Sequence, residues 1–175
     1  MLFLCTLVAK STMSTFRYTC GYALLFGLMA CVNRYAVWLG LPPTSIHQWR
    51  QADGAAIAWH YAQQPDFSEA MVCNLFQTGD AHAVGELPLL YWMAGLIAHH
   101  AGGPAYPLRW IGLLLLVAGG WAFGWALLQL TKRPVVAVLG AGLLLTSPIL
   151  AYYGPSFLPD APAFCCILAM VACLL

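Results

Sequence analysis

Charged side chains are scarce in this chain: only 7% of its 175 residues are Asp, Glu, Lys or Arg, while 62% are hydrophobic and the mean hydropathy is +0.77. A soluble domain needs more charged surface around its core, so the composition excludes that class and indicates an integral membrane protein. The formal net charge is only +1, and the seven Lys and Arg residues form no basic patch. We therefore expect no nucleic-acid partner.

Several motifs of familiar sites are also absent. The seven cysteines show no Cys-x-x-Cys or Cys/His metal spacing and mostly fall inside apolar runs, so we expect neither a disulfide framework nor a zinc site. The chain has no GxGxxG motif and no P-loop, which argues against a nucleotide cofactor. The glycines at Gly119, Gly120 and Gly124 are interpreted as positions of close helix packing.

Long apolar runs predict four membrane spans, because they approach the length that crosses about 30 Å of hydrocarbon as a helix. They cover about residues 18–41, 107–130, 134–153 and 161–175 onward. The positive-inside bias then places Lys10, Arg17 and the adjacent pair Lys132 and Arg133 in the cytoplasm.

Residues 42–106, between the first two spans, are predicted to form an external loop that carries short helices. Residues 52–64 fit an amphipathic helix lying along the membrane surface. One of its faces has Asp53, Ile57, His60 and Gln64, and the other has Ala55, Ala56 and Trp59.

The apolar run from Leu87 to Ala101 is short for a span. If it crossed the membrane, Lys132 and Arg133 would lie outside, so we interpret it as an interfacial or re-entrant helix. The predicted fold is thus an all-α integral membrane bundle of several spans, with juxtamembrane helices on the external loop. Because the chain stops inside an apolar run, we expect residues 1–175 to be the N-terminal part of a longer transmembrane domain, with Met13 a plausible start.

The stretch His47-Gln48-Trp49-Arg50-Gln51-Ala52-Asp53 concentrates the polar chemistry of the chain. It follows the first predicted span and is therefore expected at the external lipid–water boundary, where an amphipathic substrate could be handled. The structural alternative is a solvated connector in which Arg50 pairs with Asp53 across one helical turn.

Short motifs follow this stretch in a characteristic order. WRQAD ends at Asp53, and after it come Gly85-Glu86-Leu87-Pro88-Leu89-Leu90-Tyr91-Trp92, Leu108-Arg109, Tyr152-Tyr153-Gly154 and Pro159-Asp160-Ala161. From about Tyr18 to its end, the chain resembles the N-terminal part of GT-C glycosyltransferases. These are the dolichyl- or polyprenyl-phosphate-sugar enzymes that include protein O-mannosyltransferases and the lipid A aminoarabinose transferase.

The resemblance implies two catalytic carboxylates. In that family the first external loop carries a catalytic Asp, which matches Asp53, and a second Asp after the third span matches Asp160. Glu86 matches the Glu of a Glu-x-Pro motif, although Leu87 replaces the basic residue often found between, so a lipid-phosphate contact from that residue does not carry over. Gly54 stands where protein O-mannosyltransferases tend to have Glu, which weakens the case for a protein acceptor.

The implied reaction moves a sugar from a polyprenyl-phosphate donor to the hydroxyl of an acceptor glycan, lipid or protein at the periplasmic face of the cell membrane. The hydroxyl needs a carboxylate base within about 2.6 to 3.2 Å, and Asp53 is the candidate. The leaving phosphate needs positive charge, which Arg50, Arg109 or a divalent metal held by Glu86 would supply. The remaining predicted substrate contacts are His47, Trp49 and Tyr153.

The alternative function is a transporter or a non-catalytic subunit of a membrane complex, in which Arg50, Asp53 and Asp160 are structural or line a permeation path. A transporter keeps ionisable groups at mid-bilayer depth. Here the acidic residues fall outside the predicted spans, which favours the enzyme. Structural roles also stay open for single residues: a charge at a helix N-terminus for Asp53 and a helix cap for Asp160.

Overall fold

The computed structural model describes residues 2–68, 87–103 and 107–175, with side chains from Thr12 onward. The described residues form helices joined by turns, which confirms the predicted all-helical class. The helices are α1 (Leu2–Val32), α2 (Tyr35–Trp38), α3 (Gln48–Gln63), α4 (Leu89–Ala101), α5 (Pro107–Thr131), α6 (Pro134–Leu145), α7 (Pro148–Tyr153) and α8 (Asp160–Cys173).

Two of the helices that the structure describes are long and apolar enough to cross a membrane. They are the segment Thr12–Val32 of α1 and the whole of α5, with mean hydropathies of 1.2 and 2.0. α6 and α8 are also apolar but shorter. By length and composition, the described part of the chain therefore supports a membrane protein, without showing how many times it crosses the membrane.

The first apolar run is divided differently from the prediction. α1 begins at Leu2, so the apolar stretch before Lys10 belongs to this helix, and α1 ends at Val32 instead of continuing to residue 41. The break occurs because Arg34 has a left-handed backbone with a φ of 55°, which a right-handed helix does not tolerate. The Met29 carbonyl at the helix end accepts hydrogen bonds from both the backbone N–H and the side-chain amide of Asn33, each at 2.9 Å.

The predicted span over residues 134–153 is also two helices, α6 and α7. Pro148 is the first residue of α7 and has no N–H to donate, so the hydrogen-bond ladder of α6 cannot continue through it. The hydroxyl of Thr146 donates to the Gly142 carbonyl at 2.8 Å at the end of α6. By contrast, α5 begins at the predicted residue 107, and α8 begins at Asp160.

α1 and α5 pack together through tyrosines that lie over glycines. Tyr18 and Tyr22 donate their hydroxyl hydrogens to the carbonyl oxygens of Trp121 and Val117, at 2.6 and 2.7 Å. A Cβ atom at Gly120 would lie 2.8 Å from the Tyr22 hydroxyl. The close-packing interpretation of this glycine is thus confirmed.

The directions of α5 and α8 place Asp160 and the basic pair 132–133 at opposite ends of the bundle. α8 runs beside α5 in the same direction, because Gly119 lies against Cys165 and Ala126 packs with Ala172 farther along both helices. The start of α8 therefore lies near the N-terminal end of α5, while the pair 132–133 follows its C-terminal end. The 25 residues of α5 cover about 37 Å at 1.5 Å per residue. This arrangement agrees with the predicted separation of Asp160 from the basic pair.

α3 and α4 form a closely packed pair beside this bundle. The buried residues of α3 are Gln51, Gly54, Ala58 and Tyr61. A Cβ atom at Gly95 of α4 would lie 2.8 Å from the Ala58 carbonyl oxygen, so only glycine allows this approach. α3 also begins at Gln48 and not at residue 52, and its packed face corresponds to neither predicted face. Gly54 and Ala58, which contribute little to an apolar pattern, lie at its centre, and Gln51 is polar.

The α3–α4 pair is seated on the start of α5 and on the turn before α8. Tyr91 of α4, Leu108 and Ile111 of α5, and Phe157 belong to one buried cluster with Ala58 and Tyr61. This cluster fixes the position of α3 relative to α8. It therefore determines where the polar stretch at the start of α3 lies.

Candidate functional site

A cavity of about 460 Å³ opens where the start of α3 meets α7 and the start of α8. The polar residues that line it are His47, Arg50, Ser147, Tyr153 and Asp160. The apolar residues are Leu144, Ile149, Leu150, Leu158, Ala161 and Phe164. Four of the predicted site residues, two from the polar stretch and two from the end of the chain, thus line one amphipathic cavity.

Arg50 and Asp160 form an ion pair at this cavity. The Arg50 Nη2 atom lies 3.9 Å from the Asp160 Oδ2 atom, and the two side chains are 38% and 61% exposed. Arg50 belongs to the first turn of α3, whereas Asp160 is the first residue of α8. Arg50 therefore pairs with a carboxylate that is distant in sequence, Asp160, whereas the sequence suggested its neighbour Asp53.

The segment before α3 has an unusual backbone. Ser45 and His47 both have left-handed conformations, with φ values of 68° and 56°, and His47 is the N-terminal cap residue of α3. Such conformations cost a non-glycine residue of order 1–3 kcal/mol each, so they persist only where the surrounding structure enforces them.

Gln51 and Tyr152 hold this segment in place. The Gln51 side chain is 1% exposed, and its Nε2 atom donates to the carbonyl oxygens of Thr44 and Ile46, both at 3.0 Å. The Tyr152 hydroxyl donates to the same Ile46 carbonyl at 3.0 Å. Sequence reasoning did not single out either side chain, although both adjoin residues that it chose. Their role depends on a contact between segments about a hundred residues apart, shown by the 3.4 Å distance between Gln51 Nε2 and the Tyr152 hydroxyl.

Aromatic contacts connect α7 to the polar stretch. The ring centroids of His47 and Tyr153 are 6.1 Å apart, and those of Tyr152 and Tyr153 are 4.8 Å apart with edge-on geometry. α7 itself is anchored by Tyr35, whose hydroxyl donates to the Ala151 carbonyl at 2.9 Å.

Arg109 lies apart from the cavity lining and is 1% exposed. Its guanidinium donates to three backbone carbonyls, those of Pro155 at 2.7 Å, Pro42 at 3.0 Å and Leu41 at 3.1 Å. The guanidinium carbon also lies 4.4 Å from the centroid of the Phe157 ring. This geometry favours a structural role for Arg109 over the predicted contact with a leaving phosphate.

Asp53 and Trp49 are exposed on α3 and are not among the residues that line the cavity. Asp53 lies one helical turn after Arg50, and the Trp49 side chain is 67% exposed. The structure therefore brings Asp160 closer than Asp53 to the centre of the predicted site.

The predicted metal ligand Glu86 lies outside the described residues. Among the residues that the structure does describe, no three His, Cys, Asp or Glu side chains are grouped as metal ligands would be. At the cavity, the Asp160 carboxylate faces a guanidinium, which does not suit a divalent cation. We therefore derive no chemical step through a metal.

A second cavity, of about 380 Å³, lies between the C-terminal ends of α3 and α4. Trp59, Gln63 and His99 line it, and the His99 Nδ1 atom is 2.7 Å from the Ala62 carbonyl oxygen. Among the predicted site residues that the structure describes, none lines this cavity.

No protein-family model, curated protein or solved structure matches the chain.

Proposed function

We propose that the chain is the N-terminal, substrate-binding part of a membrane glycosyltransferase of the GT-C type. It moves a sugar from a polyprenyl-phosphate donor to a hydroxyl on an acceptor glycan, lipid or protein. The observation that carries this proposal is the cavity in which Arg50, His47 and Asp160 adjoin an apolar wall that includes Leu150 and Phe164. The motif order described above supports the same reaction class.

The cavity suits an amphiphile with an anionic headgroup. A guanidinium forms strong charge-assisted hydrogen bonds to phosphate oxygens, and Arg50 is partly exposed at the cavity. The apolar wall would cover the first part of an isoprenoid chain, because burying apolar surface is favourable in proportion to its area. Tyr153, which is half-buried beside His47, would contact the sugar.

In the proposed step, the acceptor oxygen bonds to the anomeric carbon of the sugar while the bond from that carbon to the phosphate oxygen breaks. The electron pair of that bond leaves with the polyprenyl phosphate, whose negative charge Arg50 stabilises. The acceptor proton passes to a carboxylate. Asp53 is the base that the resemblance implies, and Asp160 is the alternative within the cavity lining.

The protein is proposed to span the cell inner membrane several times, with the cavity at the periplasmic face. α1, α5, α6 with α7, and α8 would be the four passes, while the α3–α4 pair would lie at the interface without crossing. Lys132 and Arg133 would then face the cytoplasm, in accord with the positive-inside bias.

Sugar transfer by the full-length protein reconstituted in lipid tests the proposal, with radiolabelled polyprenyl-phosphate sugars as donors. Arg50→Gln should lower turnover by about 10² to 10³, the loss typical of removing one group that stabilises transition-state charge. Arg17→Gln is the matched control, because it removes the same charge from an exposed position near the opposite end of the bundle.

Equal transfer by the Arg50 and Arg17 variants would refute the role of the cavity. No transfer from any donor, together with movement of a solute across the reconstituted membrane, would support the transporter in place of the enzyme.

A further inference from the structure

The Arg50–Asp160 ion pair affects which anions can bind in the cavity. The cation that would bind an anionic headgroup already faces a carboxylate at 3.9 Å, and both side chains line the cavity. We propose that Asp160 sets an affinity threshold for the cavity, which amphiphilic anions exceed at ordinary concentrations and small free anions do not. This threshold is the selectivity role that we assign to Asp160. Asp160 competes for Arg50 until a ligand also buries an apolar chain against the wall. This inference uses the anion-binding part of the proposed function and does not depend on sugar transfer.

The pair is weak enough to be exchanged. Its separation exceeds hydrogen-bond distance, and with 38% and 61% exposure both groups are well solvated. Ion pairs of this kind contribute little net stability, since solvent screens them and two side chains must be ordered. An entering phosphate can therefore displace the carboxylate without disrupting the fold.

The carboxylate nevertheless penalises every anion that approaches Arg50. Two like charges a few ångströms apart in a solvated site repel each other, and for such a site we expect about a 3- to 30-fold loss of affinity. A free phosphate ion has nothing to offset this loss. An isoprenoid phosphate does, because each methylene group that it buries raises affinity by about fourfold.

The apolar wall lies where it can bury the isoprenoid chain of such a ligand and so raise its affinity. Leu150, Leu158 and Ala161 are buried, whereas Ile149 and Phe164 are 67% and 40% exposed and leave apolar surface open to a ligand. Asp160 and Ala161 are consecutive residues at the start of α8. The carboxylate of Asp160 and the apolar wall are thus adjacent. A ligand whose apolar chain packs on the wall therefore brings its anionic group close to Asp160.

The test measures binding by isothermal titration calorimetry, using the full-length protein in zwitterionic nanodiscs at low salt. The probes are farnesyl phosphate as the amphiphilic anion and inorganic phosphate as the small anion. When each is titrated alone, farnesyl phosphate and inorganic phosphate should both bind Asp160→Asn about 3- to 30-fold more tightly than the parent. Arg50→Gln should weaken farnesyl phosphate binding at least tenfold.

Two controls accompany these variants. Asp66→Asn removes the same charge from an exposed site after the end of α3, which lies about 20 Å along the helix from Arg50, and should leave both affinities as in the parent. Asp160→Glu keeps the charge and should behave like the parent. If Asp160→Asn fails to fold, Asp160→Ser removes the same charge and tests the same expectation.

An Asp160→Asn variant that binds farnesyl phosphate no better than Asp66→Asn would overturn the selectivity role. Equal affinity for inorganic phosphate, titrated alone, in the parent and in Asp160→Asn would also overturn it. The expected binding pattern without any sugar transfer would leave the selectivity standing and refute the transferase. Transfer without the pattern would refute the selectivity alone.

Discussion

Gly54 determines how closely α3 approaches the turn before α8, and its replacement by alanine should be measurably harmful. A Cβ atom at this position would lie 2.6 Å from the Phe157 carbonyl oxygen and 3.0 Å from the Tyr91 ring. The carbonyl belongs to backbone and cannot rotate away. α3 must therefore shift outward, and this shift would carry Arg50 away from Asp160.

The magnitude follows from two opposing effects. Overpacking a tight contact costs about 1–3 kcal/mol. Replacing a glycine within a helix by alanine gains about 0.5–1 kcal/mol. We expect a net destabilisation of about 0.5–2 kcal/mol, together with weaker binding of an anionic amphiphile.

Gly27→Ala provides the matched comparison. Gly27 is an exposed glycine inside α1, and nothing lies within 4 Å of the position where its Cβ atom would be. This variant should keep only the favourable effect and gain about 0.5–1 kcal/mol. Melting of both variants in the same detergent should therefore shift in opposite directions. A Gly54→Ala protein as stable as Gly27→Ala would show that the contact with Phe157 does not fix α3.

Three further outcomes are expected. If Asp53 is the base, Asp53→Asn should lower sugar transfer by about 10² to 10⁴ without altering the melting temperature; near-normal transfer would move the base role to Asp160 or favour the transporter. A single cysteine at Lys132 on a cysteine-free background should react with an impermeant thiol reagent only from the cytoplasmic side, and labelling from outside would contradict the topology. Tyr152→Phe removes one hydrogen bond to the Ile46 carbonyl and should cost about 0.5–1.5 kcal/mol in a denaturation assay; an unchanged midpoint would show that Gln51 alone holds the segment.

Composition and apolar periodicity were sufficient to predict an all-helical chain and the position of α5. They failed where one backbone conformation decides the outcome. The apolar run continues past Arg34, yet α1 ends at Val32 because Arg34 is left-handed. A hydropathy pattern records where apolar side chains lie but not the φ of a single residue. Pro148 is different, since its missing N–H could have predicted the break between α6 and α7.

The sequence predicted the residues of the candidate site that are close together in the chain, but not the pairing between distant ones. His47 and Arg50 belong to one local stretch, and local polarity in an apolar chain is easily recognised. The pairing of Arg50 with Asp160 depends on the directions in which α3, α5 and α8 pack, and the small residues that set those directions carry little signal in a pattern. The sequence therefore offered only a local pairing, between Arg50 and Asp53 across one turn, as the structural alternative to a functional site.

Arg109 illustrates how a charge can serve a site without touching its ligand. Its guanidinium donates to the carbonyl groups of Leu41, Pro42 and Pro155, and no side-chain pattern marks a carbonyl as a partner. The first two carbonyls lie just before the segment that leads into α3, and the third lies just before the turn that leads into α8. Because one rigid guanidinium fastens both approaches, it sets the spacing at which Arg50 and Asp160 meet. Arg109 was predicted to bind a phosphate directly. Its geometry is better suited to fixing the distance between the two segments between which a phosphate would bind.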